Sequence, residues 1–489
     1  MSQKQTNKIG IDALVLTGAK IATTLINLVV VMLLARFRTL EEYGTFSQIM
    51  LTINLIVAII MMGLPNSINY FLASSNDSKE SQQFLSTFYT LSTLLCVVIG
   101  VFLAICSPWV VVYFDNPEIK EYVYFMAIFP WCCVITGSIS NVLVVYGKTI
   151  LLTIYNIVSL LITLAAVVLV EIVGWSFKEY MVLYLLVNVF MTLWAYLIVW
   201  REAGTLKIYF DYTLIKKIIR YSVPIGLANI VGTLSLEVDK LVVARLFNTE
   251  TLAYYTNAAK ELPFTIVATS LSAVLLPQIV RLLNEKEDAK AISLWKTTIE
   301  LSYIFMSFIV TALIVFAPQI MTLLYSEKYL PGLGVFRVYS LVLLLRITYF
   351  GMVLTAKGYT KPIFYVSIFS LFLNTVLDVL LYFIFGLVGP AIATFISIFI
   401  VAFVLLKITS NLESVSIMEL LPLKRIIQHS IINVIWGILV YVFLALFNIG
   451  VSSKEIMGCI LLGIIITALY GCLEYKSIKG LWSRLNRSS

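Results

Sequence analysis

Apolar runs of about 20 residues alternate with short polar connections along the whole chain. That length fits helices crossing a hydrocarbon layer about 30 Å thick; barrel strands would be about 10 residues long and would alternate apolar with polar positions. The pattern predicts fourteen spans, at 11–35, 45–72, 84–106, 121–145, 149–170, 179–200, 222–247, 252–281, 297–317, 333–356, 362–385, 388–407, 427–448 and 455–473. The seventh is unusual. From Pro224 to Phe247 it reads PIGLANIVGTLSLEVDKLVVARLF, and toward its far end it carries Glu237, Asp239, Lys240 and Arg245. An ionisable group in hydrocarbon costs about 2.5–3.5 kcal/mol. Four on one span must face protein, water or each other, so this helix is predicted to line a hydrated cavity.

The pattern repeats. Arg36 recurs as Arg245, Leu64-Pro65 as Leu276-Pro277, Pro108 as Pro318, Lys148 near Lys357, and Gly174 as Gly386. Five matches in order at nearly one spacing indicate a duplicated unit of roughly 210 residues. Six spans per copy is even, so both copies point the same way, related by a twofold axis along the membrane normal. The expected organisation is an N-terminal lobe over 1–200, a cytoplasmic linker over 201–220, a C-terminal lobe over 221–407, and two appended spans with a basic tail over 408–489. Two lobes flanking one cavity form an alternating-access transporter, and Pro65, Pro224 and Pro277 would loosen helices near their ends. The linker, REAGTLKIYFDYTLIKKIIR, mixes cations with aliphatics and suits a helix lying on the membrane surface.

Composition narrows the class. Of 489 residues, 61% are hydrophobic and 12% charged, too apolar for a soluble protein of this length. The net charge of +8 does not indicate nucleic acid, because the basic residues sit between spans rather than in one patch. Their distribution sets the orientation. With the N-terminus inside, the inner segments hold 22 of the 34 lysines and arginines, from Lys4 and Lys8 to the tail. The outer segments hold six: Arg36, Arg38, Lys120, Lys178, Lys328 and Lys454. Both termini are therefore expected in the cytoplasm. The first apolar run is too long for a signal-peptide core and is read as a retained span. The six cysteines show no metal or disulfide spacing and read as small buried hydrophobes. His429, the sole histidine, is expected at the membrane interface at the start of span 13.

Several stretches carry a family resemblance: ARFRTLEEYGTFSQI (35–49), DKLVVARLFNTETLAYYTNAAKEL (239–262), LLPQIVRLLNEKEDAK (275–290), LLYSEKYLPG (323–332) and LNTVLDVLLYFIFGLVGPAIATFIS (373–397). Together they resemble the polysaccharide-biosynthesis flippases of the multidrug/oligosaccharidyl-lipid/polysaccharide exporter superfamily. Ala253 and Pro390 depart from that pattern, which favours Gly and Ala there. The resemblance implies an all-α polytopic membrane protein whose two six-helix lobes form a V. It also implies a task, moving a polyprenyl-diphosphate-linked oligosaccharide from the cytoplasmic to the outer leaflet for surface polysaccharide synthesis. Membrane lipids, a polysaccharide polymerase and glycosyltransferases are the partners it implies, with the chain acting as a monomer.

A diphosphate crossing hydrocarbon needs cations at membrane depth. The spans supply Lys20, Lys240, Lys260, Arg337 and Arg346, which are the candidate diphosphate site. Arg36 and Arg245 lie at span ends and are read as snorkelling to the interface. Lys20 and Arg346 lie deepest and have no acid beside them in sequence. Glu237, Asp239 and Asp378 are candidates for ion coupling or gating, with H⁺ or Na⁺ as the ion; Glu237–Lys240 and Lys260–Glu261 also read as helix-locking ion pairs. Nothing resembles a nucleotide-binding phosphate loop, and a downhill process driven by consumption of the substrate outside is the other energy source weighed. No metal or cofactor is expected. Three other readings compete. A drug/cation antiporter would want an acid-rich cavity, and a peptidoglycan-precursor flippase also has fourteen spans. A membrane glycosyltransferase or polymerase would need a large catalytic loop, which the pattern lacks.

Overall fold

The computed structural model describes residues 3–75, 77–260, 262–447 and 449–488. Glu261 lies outside them. Among the described residues the regular structure is helical throughout. The first series comprises α1 (Gln3–Phe37), α2 (Leu40–Met61), α3 (Ser67–Phe71), α4 (Ser78–Phe114), α5 (Val123–Val145), α6 (Thr149–Val173) and α7 (Phe177–Ala203). The second comprises α8 (Tyr212–Leu246), α9 (Thr249–Ala258), α10 (Thr265–Asn284), α11 (Asp288–Val315), α12 (Ala317–Tyr325), α13 (Leu333–Val342), α14 (Met352–Ala356), α15 (Thr360–Phe385) and α16 (Val388–Glu413). A short α17 (Ile417–Leu420) leads to α18 (Leu423–Leu446) and α19 (Ser453–Ser488). The starts of corresponding elements keep the repeat spacing: Leu40 and Thr249 are 209 apart, Ser78 and Asp288 are 210 apart, Phe177 and Val388 are 211 apart.

Twelve helical segments among the described residues are long and apolar enough to cross a membrane, by length and composition. The two expected spans outside that set are the polar ones, α8 and the 252–281 stretch. The chain forms two compact units, Met1–Glu237 with Ala244–Ala253, and Val238–Val243 with Tyr254–Ser489. The α8 helix thus contributes to both.

Three expected spans are interrupted. Span 45–72 stops at Met62 and Gly63, both left-handed, before a 3₁₀ turn over Leu64–Asn66. Gly63 meets Gly226 of α8 so closely that a Cβ on Gly63 would sit 2.8 Å from the Gly226 nitrogen, and one on Gly226 would sit 2.2 Å from the Met62 carbonyl carbon. Glycine at both places permits that backbone contact. Span 252–281 splits into α9 and α10, and span 333–356 into α13, a 3₁₀ turn over Leu343–Leu345, and α14. Hydropathy could not show these breaks, because the residues on either side are equally apolar.

Other expectations are corrected. Pro108 does not open a loop: α4 runs through it to Phe114. The proline lacks an N–H for the Ala104 carbonyl, and the Ser107 hydroxyl donates to that carbonyl instead at 2.8 Å. Pro318 behaves differently and stands in the first turn of α12, after the break at Phe316. The 201–220 linker is not one continuous helix. Gly204 ends α7, residues 205–211 run without helix, and α8 begins at Tyr212. His429 is buried rather than interfacial. It pairs with Glu474 at 3.1 Å, and neighbouring Asn433 donates to Ser307 of α11 at 3.0 Å, fastening α18 and α19 onto that helix.

Arg38, counted with the outer cations, is also buried. It donates to the Trp175 carbonyl at 3.2 Å and lies over the Tyr180 ring. The thiols follow expectation in part: four cysteines are buried, Cys133 is half-buried and Cys472 exposed.

Candidate functional site

The second unit holds a buried polar centre. Asp239 on α8 is 2% exposed. Its Oδ2 accepts the Tyr255 hydroxyl of α9 at 3.0 Å and the Tyr339 hydroxyl of α13, and its Oδ1 accepts the Lys240 backbone N–H at 2.8 Å. Three donors satisfy both oxygens of a carboxyl group shut away from water. Asp378 on α15 is fully buried, and Asn374, one turn earlier, donates to its Oδ2 at 3.2 Å. Among the described residues its Oδ1 has no hydrogen-bond partner, nor has Asn374 Oδ1, and the buried Thr394 hydroxyl of α16 lies beside the Tyr339 hydroxyl. The two carboxyl groups are near enough for their charges to act on one another. Buried acceptor oxygens without donors are what a proton or a hard cation would satisfy. Among the described residues no cluster of three or more His, Cys, Asp or Glu side chains suits a metal ion.

The expected cations fall into two groups. Lys240 and Lys260 lie within electrostatic reach of each other, and Lys260 borders a small pocket with Leu262, Phe336 and Tyr339. Arg337 is half-buried on α13; its Nε is buried without a partner, and no ion pair or hydrogen bond engages it among the described residues. Arg346 is half-buried where α13 and its 3₁₀ turn give way to the break before α14, and Lys240, like Arg346, is engaged by neighbouring groups. Lys20 belongs to the other unit and is exposed on α1. Glu237 is half-buried and engaged. Arg36 and Arg245 are exposed; Arg245 donates to the Tyr113 carbonyl at 3.4 Å and Arg36 is engaged by neighbouring groups.

The residues missed from sequence are Tyr255, Tyr339, Asn374 and Thr394. Only Asn374 left a trace there, since it lies one helical turn from Asp378 on the same face. The first unit has a polar cluster of its own: Asn116 donates to Thr45 and to Gln48 at 2.8 Å each, Gln48 donates to Thr249 at 3.3 Å, and Thr45 donates to the Glu118 carboxylate at 3.4 Å.

The sequence model of a polysaccharide biosynthesis protein family matches residues 33–333. An uncharacterized membrane protein of Methanocaldococcus jannaschii is 28% identical over 206 residues, 40% of this chain; the match spans about half of that relative, 47% of its length. Among solved structures, the lipid II flippase MurJ in an inward closed conformation aligns with a TM-score of 0.73 at 18% identity, over 95% of this chain and 99% of its own. An inward-facing multidrug resistance transporter of the MATE family aligns with a TM-score of 0.61 at 16% identity, over 80% and 94%. Both are similar in fold. They support the reading of a multi-pass all-α membrane protein, and the first match extends over the helices that follow the two series.

Proposed function

Because the chain belongs to the polysaccharide biosynthesis protein family, we propose that it is a flippase, moving a polyprenyl-diphosphate-linked oligosaccharide from the cytoplasmic to the outer leaflet without altering it chemically. The observation that carries this reading is the cationic set of the second unit. Lys240 and Lys260 lie within reach of each other's charge, and Arg337 has no acid to neutralise it among the described residues. Lys240 is engaged by neighbouring groups, but Arg337, and Lys260 with the Lys240 charge nearby, leave positive charge that an incoming anion would stabilise. A diphosphate supplies that anion: Arg337 can grip it bidentately, while the lysines act as point charges. Arg346 belongs to the same proposed set, and Lys20 is the proposed diphosphate-binding cation of the first unit. The delivered lipid would be consumed outside by a polymerase, after glycosyltransferases assembled it inside.

Asp239 and Asp378 are the proposed coupling groups, with Glu237 as a gating residue. Two nearby buried carboxyls favour uptake of one positive charge, H⁺ or Na⁺. Vesicle transport measured after collapsing each gradient separately identifies which ion is used; transport that ignores both would leave the downhill mechanism.

Arg337→Ala and Lys260→Ala, each at wild-type membrane level, are expected to lower surface polysaccharide about tenfold, the loss of one charge-assisted contact. Full polysaccharide in both variants would sink the proposal. The fold match over α18 and α19 favours one alternative substrate, the peptidoglycan precursor. Rescue of cells depleted of that flippase would establish it instead.

A further inference from the structure

We propose that the connection between α7 and α8 is a docking surface for anionic phospholipid headgroups. Its backbone is pinned: the Lys207 N–H donates to Ser86 Oγ at 3.2 Å and the Tyr209 N–H to Thr90 Oγ1 at 3.3 Å, both on α4. Held in this way, the segment turns apolar side chains outward. Ile208 is 86% exposed, the highest value among the large hydrophobic residues described, with Phe210 at 59% and Tyr212 at 80%.

Around them stand four exposed cations, Lys207, Lys216, Lys217 and Arg220. Among the described residues none of the four has a side-chain hydrogen bond or an ion pair. The neighbouring acids are occupied. Asp211 Oδ1 accepts the Leu214 N–H at 3.0 Å in the first turn of α8, and Glu202 pairs with Lys148 at 3.1 Å. The result is a strip of net positive charge, four cations against the Asp211 carboxylate, interleaved with Ile, Phe and Tyr after the end of α7, a helix long and apolar enough to cross a membrane. Such a strip fits the boundary of a bilayer, where the apolar side chains enter the acyl region and the cations meet phosphate. An acidic soluble partner would satisfy the lysines but leave Ile208 and Phe210 without an apolar environment. The inference is independent of which substrate the protein carries.

Native mass spectrometry of the purified full-length protein, released from phosphatidylglycerol or phosphatidylcholine vesicles, tests it. Wild type is expected to retain phosphatidylglycerol selectively, and less of it as salt rises. K216Q–K217Q–R220Q should lose retention by about fivefold per cation removed, while K120Q–K178Q, exposed lysines elsewhere, should not. I208S–F210S keeps every charge and should also lose retention. Equal retention of the two lipids by wild type, or wild-type retention in both linker variants, overturns the proposal. So does displacement of the lipid by inorganic diphosphate at matched ionic strength, which would mark a free-phosphate site instead.

Discussion

The two repeats run through one series of helices but fill one region of it with opposite chemistry. Asp239 follows Val30 by 209 residues, Tyr255 follows Phe46 by 209, and Tyr339 follows Phe129 by 210. The turn corresponding to Asp378 holds Ala166 and Val167, both buried. In the first repeat Phe46 and Phe129 flank the Tyr184 ring, at 5.9 and 5.6 Å between centroids. In the second, two tyrosine hydroxyls converge on a carboxylate. Since valine and phenylalanine suffice for the fold in one copy, the charges in the other are not needed to build it. They are what function would add.

The backbones differ as well. The α4 and α5 helices are continuous, whereas their counterparts are broken into α11 with α12 and into α13 with α14. Interrupted helices expose backbone groups at membrane depth, which is tolerated where protein or a polar cavity receives them. These two breaks fall in the copy that holds Asp239 and Asp378, whereas the break at Met62 and Gly63 in the first copy has a counterpart between α9 and α10.

The strongest way to break this comparison is to move the acid across. Val30→Asp would bury a carboxylate beside a first repeat that has Phe46 and Phe129 where the tyrosines stand in the second. It is expected to cost about 3–5 kcal/mol, the range for an uncompensated buried charge, read as lost thermal stability in detergent. An unchanged melting temperature would show that the two regions are not equivalent.

The reverse transplant, D239V–Y255F–Y339F, should leave stability within about 1 kcal/mol, because donors and acceptor are removed together. Transport should fall about tenfold to a hundredfold, as when a charge-assisted contact of about 1.5–3 kcal/mol is removed. Wild-type transport in that variant would take the coupling role away from Asp239.

A third comparison is already built in. Lys148 pairs with Glu202 at 3.1 Å, and Lys357 pairs with Glu413 at 2.7 Å, at matching places in the two copies. The first pair is wetter, with side chains 50% and 18% exposed against 25% and 3%. Glu413→Gln should therefore cost about 2 kcal/mol, reduced from a fully buried pair because Lys357 stays partly wet, and Glu202→Gln less than about 1 kcal/mol. Equal melting shifts would argue that burial does not separate them.

The smallest effect is in pH. Burial opposes the Lys357 charge, in the turn after α14, but Glu413 and Asp288 outweigh it and raise the ammonium above its ordinary 10.5. A raised value means the contribution is full below pH 10.5 and is lost as pH rises through the folded value. The stability gap between wild type and Glu413→Gln should therefore narrow only in that alkaline window; a gap that closes near neutral pH would point to another group.

Much of this was legible in the chain. The duplication could be read from five spaced matches, and the acids Asp239 and Asp378 from their presence within apolar runs. The partners of those acids could not be read. Tyr255 and Tyr339 look like ordinary membrane tyrosines until α9 and α13 bring them to one carboxylate. His429 looked interfacial because its neighbours in sequence are Lys424 and Arg425, whereas its neighbour in space is Glu474, 45 residues on.

By itself the sequence determined which segments are apolar enough to enter a membrane, that they come in two copies, and which of them carry charge, because hydrophobic partition and repetition are properties of consecutive residues. Only the tertiary structure decided where helices break and which polar groups meet. A break depends on a backbone approach such as Gly63 against Gly226, and a carboxylate's partners come from helices distant along the chain; neither is written in any local pattern.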